Sequence, residues 1–99
     1  MDEKQDHYDL LRKIKERPAS TQRELASELG FSLGKLNYCL KSLKKKGHIK
    51  LKNFQNNKNK INYAYILTPR GLAIKAKLTV NFMKRKMKEY DELVKELKK

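Results

Sequence analysis

The sequence lacks most of the features on which secretion and membrane insertion depend. It contains one cysteine, two prolines, four glycines and no tryptophan in 99 residues. A single cysteine excludes an intramolecular disulfide and fits a reducing compartment. No apolar run approaches the ~20 residues that span a bilayer, and the charged start MDEKQDHYD is unlike a signal peptide. We therefore expect a cytoplasmic protein of one domain.

Groups suited to catalysis or metal binding are also missing. No Ser/His/Asp set, carboxylate pair or glycine-rich phosphate loop is recognisable in the sequence. His48 has no second His or Cys at metal-ligand spacing, and we interpret Cys39 as a small buried hydrophobe rather than a redox sensor. We expect no enzymatic activity, no cofactor and no metal site.

Acidic residues are absent from the whole middle of the chain. Lys and Arg number 25 against 11 Asp and Glu, and between Glu28 and Glu89 there are sixteen basic residues and no acidic one. Such a region suits nucleic acid, because neutralising phosphates releases condensed counterions. Anionic lipid is a rival partner, but it would repel Asp91, Glu92 and Glu96 near the C-terminus. We expect DNA rather than a membrane.

The periodicity of apolar residues predicts three helices in the first half of the chain. The first covers residues 6–16, the second follows Thr21 as N-cap with Glu24 completing a capping box, and the third opens at Ser32 and closes at Gly47. At 100° per residue, the apolar residues of each helix share one face. The predicted core residues are Leu10, Leu11 and Ile14, then Leu25, Ala26 and Leu29, then Leu33, Leu36, Leu40 and Leu43.

A hairpin and a long helix are predicted for the second half. HIKLKNF alternates with period two and INYAYIL is rich in β-branched and aromatic residues, as strands prefer. Between them we predict an Asn-rich loop, residues 53–62. Thr68-Pro69 is a cap followed by proline at the first helical position, which starts a helix over residues 69–99. The fold class is mainly α with a small β-hairpin (α+β).

Residues 20–47 carry the spacing of a helix-turn-helix. Ala26 is small where two helices cross, and Gly30 is free to adopt a positive φ in the turn. The third helix would then enter the major groove, with its N-terminal residues nearest the base edges. The predicted DNA-binding residues are Ser20, Thr21 and Gln22 on the second helix, Ser32, Gly34, Lys35, Asn37, Tyr38, Lys41 and Lys45 on the third, and Lys58 and Lys60 at the hairpin tip.

The last helix has an apolar stripe that a small domain cannot cover. Thirty-one residues extend roughly 46 Å at ~1.5 Å each, and the stripe recurs at alternating spacings of three and four, as in heptads. We predict a homodimer through this helix, in which two recognition helices meet successive major grooves of an inverted repeat about 34 Å apart. The predicted interface residues are Ala73, Ala76, Val80, Met83, Met87, Tyr90, Val94 and Leu97. We also expect Leu72, Leu78 and Phe82, which lie off this stripe, to pack on the helix's own domain.

Three segments of the sequence resemble a known family. TQRELASELGFSLGKLNYCLKSLKKKGHIKLKNF, NKINYAYILTPRGLAIKAKLT and FMKRKMKEY are similar to small MarR-type winged helix-turn-helix regulators associated with bacterial exopolysaccharide (EPS) gene clusters. The resemblance implies a dimeric, sequence-specific transcription regulator with a three-helix core, a wing over residues 54–61 and a C-terminal dimerisation helix. It divides the chain into a DNA-binding domain, residues 6–68, and a dimerisation helix, residues 69–99.

The chain departs from typical MarR proteins at its N-terminus. Their extended first helix helps to form both the dimer and an effector pocket, whereas few residues here precede the first core helix. We therefore expect the C-terminal helix to form the dimer, and no phenolic effector is predicted. Two other interpretations remain open: a winged helix that docks on an acidic protein, and an RNA-binding module, which the scarcity of exposed aromatics for base stacking disfavours.

Overall fold

Three helices, a β-hairpin and a fourth helix follow one another in the order predicted from the sequence. The computed structural model describes residues 3–18, 20–57 and 60–99, and the side chains of these residues except 54–57 and 60–62. The elements are α1 (Glu3–Glu16), α2 (Gln22–Leu29), α3 (Leu33–Lys45), β1 (Ile49–Asn57), β2 (Lys60–Leu67) and α4 (Pro69–Leu97). This is the predicted winged-helix architecture, with α1 starting three residues earlier than expected.

Local capping fixes where α2 begins. The backbone N–H of Glu24 donates to the Thr21 hydroxyl at 3.1 Å, and the Glu24 carboxylate accepts from the Thr21 N–H at 3.4 Å, which confirms the capping box. Gly30 ends the helix with φ 70°, a left-handed conformation that costs a glycine little. The short turn that follows carries the chain directly into α3.

The core lies where α1, α2 and α3 meet the start of β1. It consists of buried apolar side chains from all four elements: Leu10, Leu11, Ile14, Leu25, Ala26, Leu36, Cys39, Leu40, Leu43 and Ile49. Cys39 is buried as predicted. Leu29 is only partly buried and packs at the edge of this cluster. The placement of Leu33 in the core was wrong, because this side chain is 45% exposed.

The hairpin is longer than the sequence suggested. β1 and β2 pair antiparallel from Ile49 opposite Leu67 to Asn57 opposite Lys60, with an irregularity between Gln55 and Asn57. The prediction of a loop over 53–62 was therefore too wide. The backbone ladder depends on N–H and C=O groups and not on the side chains, so polar Asn residues extend a register that the apolar part of the strands sets.

α4 is anchored at its start and leaves the domain toward its end. Gly71 is buried so closely against residue 48 that a Cβ on it would lie 1.9 Å from the His48 carbonyl oxygen. Further along, Phe82 stacks on Tyr8 of α1 with ring centroids 4.9 Å apart. Leu78 is half-buried, as expected for packing on its own domain, but Leu72 is 43% exposed, so that expectation was wrong for Leu72.

Candidate nucleic-acid interface

The outward face of α3 is rotated from the one expected. Cys39 belongs to the buried set and Leu33 does not, which turns the buried sector by about 30° around the helix axis at 100° per residue. Two residues therefore lie on a different part of the helix surface from the one predicted. Asn37, expected at the boundary, is exposed, and Lys35, expected on the outward face, lies at the boundary.

Five predicted DNA-binding residues form the exposed face of α3. They are Gly34, Asn37, Tyr38, Lys41 and Lys45. Tyr38 is 63% exposed, and the space next to Gly34 is open, since a Cβ on this glycine would approach only the Ser32 hydroxyl oxygen, at 4.0 Å. The face combines a flat surface at the helix start with an aromatic ring and two cations along its length. Its residue types suit both base edges and phosphates.

Lys35 makes contacts within its own domain. Its ammonium lies 3.2 Å from the Asp6 carboxylate of α1 and 4.4 Å from the centroid of the Phe31 ring. The side chain is only 27% exposed. These contacts orient the N-terminal end of α3 against α1, so a role for Lys35 at DNA would compete with its role in the domain.

The start of α2 lies beside the outward face of α3. Thr21 and Gln22 are exposed, whereas Ser20 is half-buried, and the Thr21 hydroxyl already accepts the capping hydrogen bond from Glu24. Ser32 is exposed and caps α3 in the same way, accepting from the Lys35 N–H at 3.1 Å. The free backbone N–H groups and the helix dipole at such a terminus favour a phosphate.

A groove of about 320 Å³ joins α2, α3 and the hairpin. Its lining comprises Gln22, Asn37, Leu40, Lys41, Lys44 and Tyr65. Sequence reasoning assigned Lys44 only to the helix end and missed it as a site residue. Its spacing of three from Lys41 and seven from Asn37 places the three side chains on one side of the helix, and this signal was present in the sequence.

The hairpin adds further cations. Lys50 and Lys52 are exposed on β1, and Tyr63 is exposed on β2. Sequence reasoning placed both lysines on one side of the hairpin but did not include them in the interface. Of the predicted contacts at the tip, Lys58 lies outside the described residues, and so does the side chain of Lys60.

The lysines of this surface share one electrostatic feature. Within the described part of the chain, no carboxylate forms an ion pair with the five lysines of this surface, Lys41, Lys44, Lys45, Lys50 and Lys52. Their charge is therefore available to a partner from outside the chain. We call these five residues the cationic surface.

Titratable side chains near α3 are poor candidates for chemistry. Burial raises the pKa of the Cys39 thiol, so the reactive thiolate is disfavoured at neutral pH. Burial, followed by the charge of Lys46, lowers the pKa of His7. Among the residues that the structure describes, no three His, Cys, Asp or Glu side chains are grouped to hold a metal ion.

The predicted dimer stripe is open along α4. Val80, Met83, Met87, Tyr90 and Leu97 are exposed, with Tyr90 at 67%. Ala73 and Ala76 are also exposed, and Val94 is half-exposed. The stripe points away from the half-buried residues that pack on the domain. None of the described helices combines the length and hydrophobicity needed to cross a bilayer.

Comparison with known proteins supports the same fold. The sequence model of a family described as winged helix-turn-helix DNA-binding matches residues 7–50. This range covers most of α1, all of α2 and α3, and the start of β1. No curated protein matches the sequence.

Solved structures of MarR proteins superpose on most of the chain. A MarR family transcription regulator gives a TM-score of 0.69 at 22% identity, covering 87% of this chain and 55% of its own. Staphylococcus aureus MarR in complex with salicylate and kanamycin gives 0.70 at 18% identity, covering 88% and 57%. Streptococcus pneumoniae FabT in complex with DNA gives 0.64 at 22% identity, covering 88% and 59%. The chain thus spans little more than half the length of these proteins, and shares their winged helix-turn-helix fold.

Proposed function

We propose that this chain is a MarR-type transcription regulator that binds DNA sequence-specifically as a homodimer. The observation that carries the proposal is the exposed face of α3, which is held on a winged-helix core and flanked by the cationic surface. The family match to residues 7–50 and the likeness to a regulator crystallised on DNA support this choice of partner.

The position of each residue on α2 and α3 would determine whether it contacts base edges or phosphates. Asn37 and Tyr38 face outward from the first half of α3 and would meet base edges, Asn37 through its amide and Tyr38 through its ring. Lys41 and Lys45 follow on the same face and would meet phosphates. Gln22 at the start of α2 would fix the register of the helix on the backbone. The hairpin, with its exposed lysines on β1, would lie along the neighbouring backbone as a wing.

Two copies would recognise an inverted repeat. The apolar stripe on α4 supports dimerisation, because an uncovered stripe of this length would leave many apolar side chains in water. In this arrangement residues 6–68 form the DNA-binding unit and residues 69–99 the dimerisation helix. The two α3 helices would then enter major grooves one turn of the duplex apart, about 34 Å.

Exopolysaccharide genes are the proposed targets on the basis of the sequence resemblance alone. Selection of bound fragments from the source genome tests this directly. Enrichment of fragments upstream of polysaccharide biosynthesis genes would support the assignment. Enrichment of fragments from other loci would contradict the exopolysaccharide assignment and would not affect the DNA-binding proposal.

The DNA-binding proposal is tested by fluorescence anisotropy with a selected fragment and a scrambled duplex. We expect preference for the selected fragment and a steep loss of affinity with salt, about 0.9 log unit per phosphate neutralised. Lys41→Ala should reduce the salt slope by about one contact and weaken both duplexes, whereas Tyr38→Ala should weaken the selected fragment more. Lys15→Ala is the matched control, because Lys15 is also exposed but lies on α1.

Two results would redirect the proposal. Equal affinity for all duplexes with retention of an acidic protein would identify an interaction module. Stronger binding to structured RNA than to duplex DNA would identify an RNA-binding protein. If Lys15→Ala lost as much affinity as Lys41→Ala, the outward face of α3 would not be the interface.

A further inference from the structure

The apolar stripe of α4 is symmetric about Met87. Counting outward, Tyr90 lies three residues after it and Met83 four before it, and Val94 and Val80 lie seven residues to either side. In an antiparallel pair of helices, residues whose numbers add to a constant lie opposite each other. A constant of about 174 sets each of these residues against its counterpart of similar size.

The same constant places a small side chain opposite a large one at each end of the paired helices. Leu97 is the most exposed apolar side chain of the stripe, at 86%, and it would lie on Ala76, whose small side chain leaves room for it. The paired stretch runs from Ala76 to Leu97, about 32 Å at ~1.5 Å per residue. Shifting the register by one turn sets Met87 opposite Met83 or Tyr90 and Val94 opposite Ala76 or Met83, so the pairs of similar size are lost.

Resting on the proposed dimer, we propose that a second copy of this chain packs its α4 antiparallel on this face, with Met87 against Met87 at the two-fold axis. The proposal assigns both the partner and the register. It concerns the helix pairing and not the DNA, so the two can fail separately.

The charges of α4 favour antiparallel over parallel pairing. Residues 69–88 carry seven basic residues and no acidic one, while residues 89–99 carry four acidic and three basic ones. A parallel pair would set the basic half beside itself. The antiparallel pair sets the acidic residues of one copy opposite residues 78–85 of the other.

One ion pair follows from the register. Lys84 and Asp91 each follow a stripe residue directly in sequence and would flank the seam, where their numbers add to about the same constant. In an antiparallel coiled coil such flanking positions face each other, so the pair would form twice and would offset the repulsion between Lys86 and Lys88, which the same register brings together beside the axis. Within the described part of the chain neither side chain has an ion pair. Glu89, by contrast, already pairs with Lys86 at 3.6 Å.

A groove beside the stripe offers a seat for the acidic end of the second helix. It lies between α1 and α4 and has a volume of about 530 Å³. Its apolar lining includes Tyr8, Phe82, Met83 and Met87, with Arg12 and Lys86 also contributing. Met83 and Met87 belong to both the groove and the stripe, so a second helix that packs on the stripe also borders the groove. The carboxylates at the acidic end of that second helix would then lie near Arg12 and Lys86.

Cysteine crosslinking tests the orientation. In a Cys39→Ala background, Val80→Cys and Val94→Cys are prepared separately, mixed and oxidised under native conditions. The antiparallel register predicts a covalent dimer in the mixture and little in either sample alone, because position 80 faces position 94 of the other copy. Met87→Cys should crosslink with itself and shows that the helix pairs at all.

Charge exchange gives an independent test. Lys84→Asp and Asp91→Lys should each weaken the dimer by about tenfold in sedimentation, because two attractive pairs become two repulsive ones. Mixing the two variants, or combining both changes in one chain, should restore the native dissociation constant. A parallel dimer would not be restored by either treatment.

The outcomes separate this proposal from the proposed function. Self-crosslinking of Val80→Cys, or a dimer that never joins positions 80 and 94, would overturn the antiparallel register while DNA binding stands. A monomer that still prefers the selected fragment would overturn the pairing altogether. Crosslinking in the mixture with no preference among duplexes would support the pairing and remove the DNA role.

Discussion

The acidic residues of the first two helices and the lysines of the cationic surface are used in opposite ways. Each acidic residue described in α1 and α2 has a partner inside the domain: Glu3 with His7, Asp6 with Lys35, Asp9 with Gln5, Glu16 with Lys13, Glu24 with the Thr21 backbone, and Glu28 with Lys13 and Arg17. Among the described residues, the lysines of the cationic surface have no acidic partner. Charge therefore supports structure in one region and is available for a polyanion in the other.

This comparison explains why net charge alone is a weak guide to the interface. Lys35 and Lys41 are six residues apart on the same helix, yet Lys35 is paired with Asp6 and Lys41 with no carboxylate among the described residues. A paired cation gives up an existing contact when it moves to a phosphate, whereas an unpaired one gives up only hydration. The net charge of +14 thus does not show which cations are paired within the domain, whereas the contacts of each side chain do.

The largest effect is expected where the two regions are joined. Gly71→Ala would place a Cβ 1.9 Å from the His48 carbonyl oxygen, so the start of α4 must shift away from the end of α3. We expect a loss of about 3 kcal/mol in the free energy of unfolding. Urea denaturation followed by circular dichroism measures it.

Gly34→Ala is the matched control for this substitution. Gly34 is exposed within α3, where its nearest neighbour is the Ser32 hydroxyl oxygen at 4.0 Å. Alanine should therefore stabilise the protein by about 0.5–1 kcal/mol through helix propensity. Equal stabilities of the two variants would show that α4 does not approach residue 48 as described.

Sequence reasoning found those features whose chemistry is local. The caps at Thr21, Ser32 and Thr68 depend on residues three positions away, so the starts of α2, α3 and α4 were predicted at the residues where they occur. The hairpin was predicted from alternation, although its length was not. Local signals thus located the fold elements and most of the outward face of α3.

The features that were missed depend on distant parts of the chain. Asp6 meets Lys35 across 29 positions of sequence, and the Tyr8 hydroxyl lies 2.8 Å from that of Thr79 across 71. The periodicity of apolar residues along a helix or strand does not predict contacts between residues so far apart in the sequence. The misplaced face of α3 had a simpler cause. Cys39, although interpreted as buried, was not used to place the apolar sector, whereas Leu33, which is 45% exposed, was used.

A moderate effect on DNA binding should follow from releasing Lys35. Asp6→Asn removes the carboxylate at 3.2 Å, so the ammonium, which still lies over the Phe31 ring, would exchange one acidic contact for a phosphate near the start of α3. We expect duplex affinity to rise about threefold at low salt and the salt slope to steepen by roughly one contact. The measurement is anisotropy against salt concentration with the selected duplex.

Asp9→Asn controls for the change in net charge. Asp9 lies on the same helix, but its carboxylate accepts a hydrogen bond from Gln5 at 2.9 Å and does not hold a lysine of α3. Its substitution should change affinity less and leave the slope unaltered. If both variants gained equally, long-range charge and not the release of Lys35 would be responsible, and Lys35 would then belong to the domain rather than to the interface.

The smallest effect concerns the buried edge of the acidic region. Burial, and next the charge of Lys46, lower the pKa of His7, while Glu3 and Asp6 act in the opposite direction, and His48 adds to the lowering. The unfolded chain therefore binds a proton on His7 at higher pH than the folded chain does. Stability is complete above the ordinary histidine pKa of about 6.5 and declines as the pH falls through the interval down to the lowered pKa.

The Tm should therefore fall as the pH is lowered from 7.5 to 5. In His7→Leu the Tm should fall less over this interval, because the substitution removes the buried nitrogen that must bind a proton. The pKa of His48 is also lowered, chiefly by burial, so His48→Gln should flatten a further part. The size of the two changes ranks the histidines. His7 is buried, and its Nε2 lies 3.6 Å from the Glu3 carboxylate without a hydrogen bond to any described residue, whereas His48 is half-buried. We expect the larger change from His7→Leu, and the reverse order would place the pH-sensitive group at the join between α3 and β1 instead of on α1.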